Sequence, residues 1–207
     1  GTLDLGDEAL ALLDWVVISL HTRLGMEKAP MTERVLRALD HPTVCAMGHP
    51  TTRRLGQRDA VAMDLEAVFE RAAARGVAME ISAQPDRTDL DDVNARRARE
   101  LGVTLTINTD AHAASQYDLM RYGVFAARRA GLTKHDVLNT LPWSRFQHRF
   151  AGRTKRPVGA ATATGATSAA VPRPAARKPR PTPRPATKKP PATRPKAPPA
   201  RPKHTGR

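Results

Sequence analysis

Four short apolar runs punctuate the first half of the chain, at residues 14–20, 43–47, 77–81 and 103–107. Each is rich in Val, Ile, Met or Leu and has the length of a buried strand. Between them lie stretches with helical spacing. Residues 30–39 place Val35, Leu36 and Leu39 three and four apart and close at Pro42. Residues 64–73 run to Gly76, a suitable left-handed stop, and 91–101 run to Gly102. A short helix is expected at 7–13, and helices at 117–130, 134–140 and 143–150 after the last strand. Strands alternating with amphipathic helices pair in parallel through right-handed crossovers, so the fold class is α/β. Chemistry in such folds gathers at the carboxyl ends of the strands.

Three of the four strands end in residues able to bind a metal. The first ends in His21, the second in Gly48-His49-Pro50, and the fourth in Asn108-Thr109-Asp110-Ala111-His112. Imidazole and carboxylate are ligands of divalent ions in hydrolytic sites. One histidine after a strand is more often a hydrogen-bonded core residue. Four such groups at equivalent ends favour the ligand reading for His21, His49, Asp110 and His112. Glu80 lies inside the third strand and is expected to neutralise a buried arginine, Arg87 or Arg53, because buried charges must be paired. Arg53, Arg54 and Arg58 follow His49; they either clamp a substrate phosphate bidentately or decorate a solvated loop. His41, His135 and His148 read as surface residues, and Arg128 and Arg129 as exposed helix charges.

Charge divides the chain in two. Of 34 Lys and Arg, 19 fall in residues 1–150 with all 20 acids, leaving that part near neutral; 15 fall in 151–207, which has no acid. Residues 1–150 are expected to form one globular body, and 151–207 a disordered tail of Pro, Ala, Lys and Arg that lacks the apolar surface to fold. Such a tail suits sequence-independent attachment to DNA, or serves as a solubilising appendage. No run reaches the roughly 18 apolar residues of a membrane span, so no membrane partner is expected. Cys45 is the sole cysteine; it reads as core filler, and a cytoplasmic, reducing location is expected.

Several segments, in order, resemble one family. Asp14-Trp15-Val16-Val17-Ile18-Ser19-Leu20-His21, Gly48-His49-Pro50-Thr51, Met79-Glu80-Ile81 with Pro85 and Arg87, and Asn108-Thr109-Asp110-Ala111-His112 are similar to the polymerase and histidinol phosphatase (PHP) superfamily. The branch most resembled is the C-terminal PHP domain of bacterial family X DNA polymerases, to which Met31-Thr32-Glu33-Arg34 and Arg121-Tyr122-Gly123 also correspond. The resemblance implies a distorted (β/α)7 barrel, here represented by about four βα units. It further implies up to three divalent metals (Zn, Mn or Fe, with Mn or Zn favoured), held in part by His21, His49, Asp110 and His112.

Asp110 and His112 would be at the catalytic centre, with Glu80 and Arg87 supporting it and Arg53 and Arg54 at the substrate phosphate. The implied activity is phosphoester hydrolysis by metal-activated water, as 3′–5′ exonuclease or 3′-end processing of DNA at the nucleoid. Alternatives are a histidinol-phosphate-type small-molecule phosphatase, or a catalytically incomplete PHP module tethered to DNA. The family's opening His-x-His strand, its next histidine and its bridging glutamate have no counterpart here, so an N-terminally truncated domain is expected, with its isolated form inactive.

Overall fold

The structure is a computed structural model that describes residues 1–150; the basic tail expected over 151–207 lies outside them. Four strands form one parallel sheet in the order β1-β2-β3-β4: β1 (Val16–Ile18), β2 (Val44–Met47), β3 (Ala78–Ser82) and β4 (Leu105–Asn108). Among the described residues the helices are α1 (Asp7–Leu10), α2 (Lys28–Leu39), α3 (Leu65–Arg75), α4 (Asp92–Glu100), α5 (Met120–Arg129) and α6 (Trp143–Phe150). Strand order follows chain order without reversal, so successive crossovers all step the same way across the sheet. The expected α/β architecture is present, as an open sheet. No helix of the described residues is long and apolar enough to cross a membrane.

The parallel register sorts the side chains. Met47, Met79 and Leu105 are neighbours across the sheet, as are Ile81 and Ile107. These residues join Val35, Leu39, Val68, Phe69, Ala95 and Ala126 in the main core beneath the helices. The opposite face changes character along its length. Towards the strand starts, Ala46 and Ala78 pack with Cys45, Leu138 and Phe150, and Trp15, Phe146 and Leu141 complete this second cluster. Towards the strand ends the same face carries Glu80, Ser82, Thr106 and Asn108, paired Glu80 with Thr106 and Ser82 with Asn108.

Helix ends follow local chemistry. Asp64 accepts from Ala67 N (3.3 Å) to start α3, and Asp91 accepts from Asn94 N (2.8 Å) to start α4. Gly76 ends α3 at φ +59°. Two expectations are corrected. Residues 134–140 form no α-helix: Asp136 Oδ2 accepts from Thr133 N and Oγ1 (2.7 and 2.9 Å), and a local turn of this kind competes with helix. The chain beyond it is extended. Asp136 O accepts from Leu105 N (2.9 Å), Val137 bridges in parallel to Leu105, and a single 3-10 turn follows at Leu138–Thr140. The helix expected over 117–130 begins instead as a 3-10 turn, Ala114–Leu119, before α5. His41 also differs from expectation, bonding Asp7 Oδ1 (3.1 Å) and Thr43 Oγ1 (2.9 Å).

The loop between β3 and α4 folds back onto the sheet. Ser82 N donates to Asp89 O (2.6 Å) and Leu90 N to Glu80 O (2.9 Å). The Asp89 side chain, wholly buried, accepts from Thr51 N through both oxygens (3.2 and 3.0 Å), and so ties this loop to the one after β2. Burial raises the Asp89 carboxyl from 3.8 to about 6, against the opposing pull of Thr51 and of the Arg53 charge.

This packing generates two predictions. Gly123 lets α5 approach the sheet: a Cβ there would meet Ile107 Cγ2 at 2.5 Å and Ala83 Cβ at 3.0 Å. Gly→Ala inside a helix ordinarily stabilises by about 1 kcal/mol, whereas overpacking costs roughly 1–3 kcal/mol. Gly123→Ala will therefore lower the urea midpoint, and Gly123→Val will lower it further. For Asp89 the folded pKa lies above the unfolded one, so between pH 4 and 6 the folded state binds more protons and stability falls as pH rises. The contribution is on the order of 3 kcal/mol at full ionisation. Asp89→Asn will remove that slope, read as the difference in unfolding free energy between the two proteins across this window.

Candidate functional site

The strand ends bring together most, but not all, of the residues singled out in the sequence. His21, three residues past β1, and His49, two past β2, face each other with their Nε2 atoms 3.4 Å apart. Two nitrogens bound to one tetrahedral ion at about 2.0–2.1 Å each lie roughly 3.3–3.4 Å from one another. The pair therefore has the separation of two ligands sharing an ion. Ser19 Oγ also lies 3.0 Å from His21 Nε2. His49 is buried, and burial, followed by the charge of Arg87, holds its pKa below the usual histidine value. A neutral imidazole is the form that binds metals.

Asp110 and His112 stand at the tip of β4, both exposed. His112 Nδ1 lies 2.7 Å from Asp110 O, so the tautomer that donates there leaves Nε2 as the ring's ligand atom. His112 N donates to Gln116 Oε1 (2.7 Å), fixing the residue from behind. Among the described residues no three His, Cys, Asp or Glu side chains close around a common point. The imidazole pair at β1 and β2 thus has ligand geometry; Asp110 lies near enough for its charge to act on His49, and neither it nor His112 completes a cage.

Backbone strain concentrates at the same end. His49 (φ +28°), Thr52 (φ +56°), Thr88 (φ +43°) and Asp110 (φ +49°) occupy the left-handed region, which costs a non-glycine residue roughly 1–3 kcal/mol. Arg23, two residues past His21, does so too (φ +54°). Such residues persist where neighbours hold them. Glu80 does much of the holding: it accepts from His49 N (2.6 Å) and from Asn108 Nδ2 (3.0 Å). Gln84 Nε2 donates to Thr109 O (2.6 Å) and lies 3.3 Å from Asp110 O.

Glu80 was expected to neutralise Arg87 or Arg53, and it pairs with neither. Burial raises its pKa, and the hydrogen bonds from Asn108 and His49 oppose that rise. Arg53 is engaged elsewhere, donating to Asp91 Oδ2 (2.9 Å), Arg87 O (2.9 Å) and Thr88 O (2.5 Å). Arg54 pairs with Asp86 (2.5 Å), and Arg58 donates to Thr52 O (3.0 and 2.6 Å). Arg53 and Arg54 clamp the two loops to each other, and Arg58 braces the first of them internally. Arg87 is the exception. Its Nη1 is buried without a hydrogen-bond partner, as are His49 Nδ1, Thr51 Oγ1 and Thr52 Oγ1. These four are the orphaned buried side-chain atoms of the described residues, and every one lies in the loops after β2 and β3.

Asn108, Asp89, Gln84 and Gln116 were not singled out in the sequence. Asn108 alone left a signal: it stands two residues before Asp110, in the inward phase of β4.

No protein-family model matches the chain. Among known proteins it is 38% identical over 139 residues to the DNA polymerase/3′-5′ exonuclease PolX of Bacillus subtilis (strain 168), covering 67% of this chain and 24% of that protein. It is 29% identical over 150 residues to a probable phosphatase of Thermoanaerobacter sp. (strain X514), covering 68% of this chain and 58% of the relative. A probable phosphatase of Photobacterium profundum is 30% identical over 124 residues, covering 56% of this chain and 48% of the relative. The chain thus spans about a quarter of the first and little more than half of the second. The histidines at the ends of parallel strands, together with these relatives, support a PHP-type relationship.

Proposed function

We propose that this chain is the greater part of a metal-dependent PHP phosphoesterase domain that hydrolyses phosphodiesters at the 3′ end of DNA. The 3.4 Å separation of the His21 and His49 Nε2 atoms carries this reading. His21, His49, Asp110 and His112 would hold the divalent ion or ions, Zn, Mn or Fe, up to three in the complete site. Such ions supply charge neutralisation at phosphoryl oxygens and acidify a water molecule. The chain's own residues supply the rest. Glu80 fixes the His49 backbone and Asn108 in relation to each other. Arg87, with an unengaged Nη1 near His49, replaces Arg53 and Arg54 as the side chain that meets the substrate phosphate.

DNA as substrate is supported by the name of the B. subtilis relative and by the 15 basic residues of 151–207, which would retain a polyanion at the nucleoid. The barrel reading fits the unreversed strand order and the unpaired edge of β1, where Val17 is half exposed. On this reading further strands of the same domain would continue the sheet past β1. A second reading, small-molecule phosphatase, draws on the relatives named as probable phosphatases.

Two experiments test the proposal. Measured on a protein that carries the complete domain, metal content by elemental analysis and shortening of 5′-labelled DNA with Mn²⁺ should both fall in His49→Ala and Asp110→Asn, the rate by at least 100-fold. His135→Ala should match the parent in both. A protein that takes up no metal and cleaves neither DNA nor p-nitrophenyl phosphate would refute the phosphoesterase reading, and cleavage of the monoester alone would favour the second reading. Arg87→Ala should lose roughly 10²–10³ in rate with its metal content unchanged. Arg54→Ala should instead lower stability with little change in rate, and the opposite pattern would return the phosphate role to Arg54.

A further inference from the structure

The chain has eight aromatic residues, and their distribution is uneven. Phe69 lies in the main core. Trp15, Trp143, Phe146 and Phe150 stack on one another around α6. The remaining three, Tyr117, Tyr122 and Phe125, all fall on the segment that follows His112, and they are 68%, 36% and 48% exposed. Tyr122 and Phe125 meet edge to face with centroids 6.5 Å apart, and Arg121 Cζ lies 5.1 Å from the Tyr122 ring centre.

This segment is held firmly to the site. Its 3-10 turn begins two residues after His112 and is tied to it through Gln116 Oε1. Gly123, Ala126 and Ala127 bury the other side of α5 against the sheet. The rings therefore keep a fixed position beside the strand ends. Arg121 lies between Tyr117 and Tyr122, Arg128 follows Phe125, and Arg129 pairs with Asp92 of α4 (3.5 Å); α5 itself has no acid, and the nearest in sequence is Asp118, in the turn before it.

We propose that Tyr117, Tyr122 and Phe125 form a stacking platform for the bases of a single-stranded polynucleotide whose terminal phosphodiester lies at the strand ends. This inference rests on the DNA-end reading above and adds a means of gripping the strand. Exposed rings interleaved with cations suit a polyanion carrying flat bases, because every base has a π face and the grip tolerates any sequence. A polynucleotide supplies both partners at once, phosphates for Arg121 and Arg128 and flat bases for the rings.

The test uses the full chain in EDTA, so that binding is measured without hydrolysis. Fluorescence anisotropy compares an oligothymidylate with an abasic strand of the same length and the same phosphates. The basic segment 151–207 attracts both strands alike, so any difference reports the bases. The parent protein is expected to prefer the base-containing strand by roughly 5- to 100-fold. A triple variant (Tyr117→Leu, Tyr122→Leu, Phe125→Leu) keeps apolar bulk and loses the π faces. It should bind both strands equally, with abasic affinity within about twofold of the parent and an unchanged circular dichroism spectrum.

Equal binding by the parent, or a preference that survives in the leucine variant, overturns the platform. So does concentration-dependent self-association, seen by sedimentation and abolished in the variant, without base preference; the face is then a contact between copies. Hydrolysis of bis(p-nitrophenyl) phosphate with Mn²⁺, a substrate without bases, by a protein that carries the complete domain separates the two claims. Hydrolysis without base preference removes the platform alone, and base preference without hydrolysis removes the phosphoesterase reading alone.

Discussion

A buried carboxylate that pairs with no cation organises the site end of this molecule. Glu80, in β3, accepts one hydrogen bond from the His49 amide beyond β2 and one from the Asn108 side chain in β4. Two neutral donors compensate a carboxylate less fully than a guanidinium does, and its pKa is raised accordingly. The arrangement nonetheless sets three adjacent strand ends against one rigid group. Removing the carboxylate would leave a donor on either side without its partner, and the left-handed turn at His49 would lose the contact that holds it.

The loops above that carboxylate are fastened by charge. Arg53, Arg54 and Arg58 donate into the loops after β2 and β3, and Asp89 returns a bond from the second loop to the first. Such half-buried pairs gain more than exposed ones, because their partners are held in place and solvent screens them less. Two loops held this tightly can maintain His49, Thr52 and Thr88 at positive φ. The same fastening accounts for the arginines in the segment after His49. They are the framework of the loop, whereas Arg87 keeps a buried guanidinium nitrogen without a partner.

Much of this was legible in the sequence because it is periodic or local. β-branched runs and helical spacing placed the four strands and the larger helices; Gly76 and Asp64 marked the ends of α3, and the residues after three of the four strands pointed to the candidate site. The misreadings share a cause. Residues 134–140 have helical composition, yet Asp136 closes a turn and Val137 joins the sheet beside Leu105, a contact over thirty residues away in sequence. The partner of Glu80 was misassigned for a similar reason. Buried acids usually pair with arginine, but parallel register puts Asn108 on the same face, and that depends on how β3 and β4 align. Long-range pairing of side chains is set by register and loop conformation, which a single chain's spacing does not reveal.

One face of the sheet is divided between stability and chemistry. At the strand starts it is apolar, closed by Trp15, Phe146 and Phe150 packed ring on ring, and it leaves no polar group to be satisfied. At the strand ends it carries Glu80, Thr106 and Asn108, the left-handed residues and the four orphaned polar atoms. Each of these would be removed by selection for stability alone: a carboxylate beside neutral donors, imidazoles within 3.4 Å of each other, an unpartnered guanidinium nitrogen. Their concentration at one end is the pattern of a site built to receive a polar ligand. On the proposed reading, an ion between the two Nε2 atoms and an anion beside Arg87 would engage the imidazole pair and the unpartnered guanidinium nitrogen, and the strain would be the cost of holding that site ready.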